Sequence, residues 1–278
     1  MRNVLINGAI LLAFLSPAFA DTTVTITETN TECHVSPPEE VASPVKPSAA
    51  AGTAAARDHN YALARANLKP LAESGDLEGE RLYGQLLMQK CTGIQDKTAA
   101  ASWLGKAADG GDVVAKAELG NAYMNGNGVA QDDAKAFALI QAAAAASNPG
   151  AEVNLGYFYL SGRGVEKDRY QGMVWTVKAA EQGFPAALFN IAHAYFRGEA
   201  LPQDNDKAAR YMVAGMMRST PAQKSRFAAD INNISRAVST DDLKHAADRA
   251  KRWSPGPGSL SDVLDDAGRQ RDRQARLP

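Results

Sequence analysis

Several columns of this sequence recur at a step of thirty-six residues, and that period constrains the fold more than any other feature. Leu-Tyr-Gly ends at Gly84, Glu-Leu-Gly at Gly120, Asn-Leu-Gly at Gly156, and Asn-Ile-Ala at Ala192. The same step joins Asp96, Asp132, Asp168 and Asp204, and again Trp103, Leu139, Trp175 and Tyr211. Each period divides into two helices. The first, over 113–125, carries Leu119 and Tyr123 four apart on one face; the second, over 133–146, carries Ala136, Leu139 and Ala143 at helical spacing. Asp132 and its equivalents stand where a side-chain oxygen caps the free N–H groups of the second helix. Gly126, Gly162 and Gly198 stand where a left-handed residue ends the first. A glycine inside a helix, as at 84, 120 and 156, costs about 1 kcal/mol against alanine. Close approach of the neighbouring helix is the expected return.

The third unit reads Asn154-Leu155-Gly156, Tyr159, Gly162-Arg163-Gly164-Val165, Asp168, Trp175, then Lys178-Ala179-Ala180-Glu181-Gln182-Gly183. This pattern resembles the Sel-one-like repeat, a relative of the tetratricopeptide repeat, in its exported bacterial form. The resemblance covers about 58–218, half a repeat plus four. It implies an all-α fold, a right-handed α-α superhelical solenoid of helix-turn-helix repeats that serves as an interaction scaffold. The first unit departs in its turn, Lys90-Cys91-Thr92-Gly93-Ile94, and the fourth has Ala192 and Ala200 where the pattern has glycine.

Outside the array the chain changes character. Residues 1–20 read as a signal peptide: Arg2, an apolar core from Ala9 to Leu15, and the small-x-small site Ala18-Phe19-Ala20 before Asp21. A retained N-terminal anchor is the alternative. No later stretch approaches the ~18 apolar residues that a membrane span needs. The expected location is the periplasm or the exterior. Residues 21–57, Thr-rich and then Pro- and Ala-rich, read as a flexible leader. Residues 219–253 read as a capping helix pair, with Phe227, Ile231 and Ile234 on one face and Leu243, Ala247, Ala250 and Trp253 on another. Residues 254–278 read as a solvated tail. Cys33 and Cys91, alone in the sequence, are the one intramolecular pair available for a disulfide in an oxidising compartment. Two free thiols are the alternative.

Composition excludes some functions and the motifs supply no chemistry. Without Arg2 the 30 Lys and Arg become 29 against 31 Asp and Glu, a net −2 with no basic stripe, which argues against nucleic acid. The histidines at 34, 59, 193 and 245 form no metal-ligand spacing, and no H-E-x-x-H or C-x-x-C is present. Ser43-Pro44-Val45-Lys46 matches an S-x-x-K string but lies in the leader without S-D-N or K-T-G. The reading is no catalytic residue, no metal and no cofactor.

The expected activity is therefore protein binding. With Leu119, Gly120 and Tyr123 inward, the stripe 114, 117, 121, 124 and 125 and its thirty-six-residue equivalents face a concave groove. That stripe is polar at the N-terminal end (Glu78, Arg81, Gln85, Met88, Gln89) and aromatic at the C-terminal end. The partner site is placed in the C-terminal half, on Asn121, Met124, Tyr157, Leu160, Phe189, His193, Phe196 and Arg197. The alternative is that the capping pair folds over that end. Three roles fit such a protein: a regulator or envelope assembly factor binding an unidentified protein such as a sensor domain, an immunity protein against an exported toxic effector such as a lipase, or a penicillin-active cell-wall enzyme.

Overall fold

A computed structural model describes residues 46–90 and 92–276, and every described element is helical. The chain divides into two compact units, one ending at Ala151 and one running from Glu152. Cys33, Cys91, the signal peptide and most of the leader lie outside the described residues.

Among the described residues the N-terminal unit has three helical hairpins: α1 (Ala49–Arg57) with α2 (Tyr61–Glu73), α3 (Leu77–Met88) with α4 (Lys97–Asp109), and α5 (Val113–Asn125) with α6 (Asp133–Ala145). Asp96 and Asp132 accept hydrogen bonds from the amides of Ala99 and Lys135, at 2.9 and 3.0 Å, and so start α4 and α6. Gly126 ends α5 at φ 67°, and there a larger residue would be strained. The helical glycine has the expected use: a Cβ on Gly120 would lie 2.6 Å from Ile140 Cγ1 and 3.3 Å from the Ala136 carbonyl oxygen. Leu68, Leu86, Leu104 and Ile140 are fully buried between the helices, each contributing about 1.5–3 kcal/mol.

The N-terminal boundary differs from the sequence reading: Ala49–Arg57, expected as the end of the flexible leader, is helical. The array does not open on half a unit, because α1 packs on α2 as its first helix. Its Gly52 meets Leu68 as Gly84 meets Leu104. The α1–α2 turn, residues 58–60, is shorter than the later turns, so Gly52 falls outside the period that fixes Gly84.

The C-terminal unit holds α7 (Pro149–Ser161, which begins just before the boundary) and α8 (Arg169–Glu181), then α9 (Pro185–Arg197) and α10 (Asn205–Arg218). A third hairpin follows: α11 (Pro221–Arg226) and α12 (Ala228–Ala237) with α13 (Thr240–Arg252). It is the capping pair, with Ile234 and Ala250 buried and Leu243 and Ala247 nearly so. Pro149, Pro185 and Pro221 each open a first helix at the same step of thirty-six, so the cap is a degenerate repeat in register.

The segment 254–278, expected as a solvated tail, instead forms α14 (Ser261–Gln274). It packs along α8 and buries Leu260, Val263, Asp266 and Ala267. A three-residue apolar stripe is enough here because the helix is also held by ion pairs and hydrogen bonds.

Candidate partner-binding site

In the N-terminal unit the first helices α3 and α5 are joined by polar side chains. Arg81 Nε donates to Asp112 Oδ2 at 3.1 Å, and Gln85 Nε2 donates to Glu118 Oε1 at 2.7 Å. Beside this pair opens a pocket of about 420 Å³, lined by Gln85, Met88, Gln89, Leu104, Glu118, Asn121, Ala122 and Asn127. Burial pushes the Glu118 carboxyl above the ordinary Glu range, against the opposing pull of the Gln85 hydrogen bond and the Arg81 charge. The floor is apolar and the rim carries amides and a carboxylate, the composition of a site that orients what it holds. Gln85, Met88, Gln89 and Asn121 belong to the stripe expected from sequence. Glu118 was not included in it, although it lies three residues before Asn121 and four after Val114 on one helix face.

The aromatic C-terminal stripe fares differently. Phe189, expected as an exposed anchor, is 1% exposed and stacks on Phe227 with ring centroids 4.3 Å apart. His193 Nδ1 lies 3.1 Å from Asp230 Oδ1 on α12. Phe196 and Leu160 are half-buried against the core. The cause is the in-register cap. A further first helix packs on α9, so the column holding Phe189 is a helix–helix contact and not groove lining. Tyr157, at 45% exposed, remains on the surface, as does Arg197 beside Glu199. Asn121 and Met124 are half-buried on α5. They belong to the other unit, and of the stripe proposed for docking only Asn121 reaches the pocket.

Among the described residues no group of His, Cys, Asp or Glu is arranged to hold a metal ion, and no helix is long and apolar enough to cross a membrane.

Stacked hairpins with a polar pocket between successive first helices define a helical-repeat protein. Residues 82–112, 113–148, 149–184 and 185–213 each match the Sel1 repeat, so the chain carries four Sel1 repeats, with the fold of a protein–protein interaction scaffold. No curated protein gives a match. Several solved structures are similar, two of them as follows. One is c5321, a protective antigen of uropathogenic Escherichia coli displaying an SLR fold, at 24% identity and TM-score 0.57 over 77% of this chain. This chain spans 44% of that protein's length. The other is a Sel1 repeat protein from Oxalobacter formigenes, at 24% identity and TM-score 0.58, covering 82% of this chain and 100% of that one. Both are all-helical repeat folds of the expected solenoid class.

Proposed function

We propose that this protein is an exported, non-catalytic scaffold that binds another protein through the first-helix face of its N-terminal unit. The observation that carries this is the α3–α5 pocket, where Gln85, Asn121 and Asn127 present amides around Met88 and Leu104. Side-chain amides can donate to and accept from a peptide backbone, and the apolar floor takes one side chain. The role is that of a regulator or assembly factor in the envelope. Export rests on Arg2, the Ala9–Leu15 core and Ala18-Phe19-Ala20.

The test is affinity capture from envelope extract with the native, processed protein and a Met88→Lys variant. Met88 is only half-buried, so the variant keeps the helical fold while placing a charge in the pocket. The expected result is a mature chain beginning at Asp21 and a partner whose binding falls at least tenfold in the variant. An intact Met1 would sink the export reading. A partner held equally by both proteins would move the site away from the pocket.

A further inference from the structure

The C-terminal unit shows a helix already docked on the repeats, and among the described residues the N-terminal unit repeats the platform without one. α14 runs antiparallel to α8. Its Leu260 amide donates to Glu181 Oε1 at 3.2 Å at one end, and the Arg271 guanidinium sits 4.5 Å over the Tyr170 ring at the other. Its opposite flank meets α9 and α10. There the Tyr195 hydroxyl donates to Asp266 Oδ2 at 2.8 Å, and the Lys207 ammonium and the Arg269 guanidinium bond the same carboxylate. Lys207 also lies 5.2 Å from the Tyr195 ring centroid, so the Tyr–Lys pair forms a preset clamp for one carboxylate.

Two repeats earlier, seventy-two residues back, Tyr123 and Lys135 occupy the same places. The ammonium of Lys135 lies 5.4 Å from the Tyr123 ring centroid. The backbone frame is the same: Asp132 N donates to the Tyr123 carbonyl at 3.1 Å, and Asp204 N to that of Tyr195 at 3.0 Å. The first and third repeats lack the pair, having Leu87 with Ala99 and Tyr159 with Gln171. What differs is cover. Tyr195 is fully buried whereas Tyr123 is half-exposed, and the Lys135 side chain is 63% exposed against 31% for Lys207. Lys135 instead lies 3.4 Å from Asp132, its own helix cap.

The valley beside this pair is also wider. Where α8 has Tyr170, Met173 and Val177, α4 has Thr98, Ala101 and Gly105, of which Ala101 is buried in the unit's own core while Thr98 and Gly105 reach the surface. A Cβ on Gly105 would meet nothing within 4 Å. Leu139 replaces Tyr211, which in the C-terminal unit donates to Asp262 at 3.3 Å.

We propose that the α4–α6 valley docks an acidic amphipathic helix of a partner protein, with Tyr123 and Lys135 holding a carboxylate as Tyr195 and Lys207 hold Asp266. The chemistry of the partner helix follows from the substitutions. It carries Asp or Glu at the clamp, an apolar residue four positions earlier against Leu139, and a bulkier apolar side chain than α14 has toward the open space at Gly105. This surface shares no lining residue with the α3–α5 pocket, so the two proposals stand or fall separately.

The probe is a fluorescent peptide of residues 258–276 carrying Asp262→Leu, titrated onto the full-length protein. Saturable binding is expected, weakened at least tenfold by Lys135→Glu, by Gly105→Gln, or by Asp266→Asn in the peptide. Gly105→Gln fills open space and Lys135 is a surface residue, so both variants retain their circular dichroism spectrum. Met88→Lys leaves peptide binding unchanged. The proposal is overturned if no saturable binding occurs, or if binding is lost on Lys207→Glu and not on Lys135→Glu, which means the peptide displaces α14 in its own site. It is equally overturned if the protein dimerises and Lys135→Glu abolishes the dimer, since the occupant is then the α14 of a second copy.

Discussion

Gly105 and Gly120, glycines in adjacent helices of the N-terminal unit, face opposite situations. At Gly120 an added methyl would press on Ile140 and on the Ala136 carbonyl; at Gly105 it would meet open space. Overpacking costs about 1–3 kcal/mol, and the helix-propensity gain of alanine over glycine is about 1 kcal/mol. Gly120→Ala is therefore expected to destabilise by up to about 2 kcal/mol, and Gly105→Ala to stabilise by about 1 kcal/mol. Denaturant midpoints of the two variants check this, and a gain at both positions would mean that α5 and α6 separate at no cost. The sequence showed the glycine column because three equivalent positions share it. It did not show which glycines face a helix: Gly105 lies outside the column, while the packed Gly52 was hidden by a shortened turn.

At the level of elements, the repeated hairpins were legible and the two flanking helices were not. A period supported by aspartate, glycine and aromatic columns locates helices without knowledge of their packing. α1 and α14 have no such support: Ala49–Arg57 follows a Pro-rich run, and α14 with its N-cap Leu260 has only Leu260, Val263, Leu264 and Ala267 as apolar residues among many charges. Its anchor is Asp266, which reads as a solvated residue until Tyr195, Lys207 and Arg269 are brought to it by the fold. The burial of Phe189 has a related cause, since it lies in a contact that exists only if another first helix follows. Burial works against the charge of Asp266, but hydrogen bonds from Lys207, Tyr195 and Arg269 together outweigh it and hold the carboxyl below the ordinary Asp range. A depressed folded-state pKa contributes stability that is fully present above the ordinary Asp value of 3.8 and is lost as pH falls through the folded value. Asp266→Asn should accordingly speed amide exchange in 261–274 by about tenfold or more near neutral pH, the loss of about 1.5–3 kcal/mol expected for a hydrogen bond to a charged group. The stability gap between wild type and variant should close in acid, below that window. A gap that stays constant with pH would show that the carboxylate charge does not hold α14.

For the whole molecule, the distribution of buried side chains predicts how damage spreads. Met173 to Ala267 form one core cluster, whereas Ala55 to Ala100 and Ala101 to Leu119 form clusters that share no residue with it. In a stacked-repeat chain, stability is approximately a sum of hairpin terms and nearest-neighbour interfaces. A cavity in one hairpin thus lowers the opening energy of that hairpin and its neighbours more than that of distant ones. Leu104 is 1% exposed and packs where Gly84 brings α3 onto α4, and replacing a buried leucine with alanine costs about 2–5 kcal/mol. Hydrogen exchange of Leu104→Ala under native conditions should therefore show faster exchange across α3–α6, with α9–α14 close to wild type. The two clamps would then respond separately, the Tyr123–Lys135 frame loosening while Tyr195 and Lys207 keep their hold on Asp266. Equal loss of protection in all helices would mean that the chain unfolds as a single cooperative block. A binding event at the α4–α6 valley would in that case stabilise α14 as strongly as it stabilises α5.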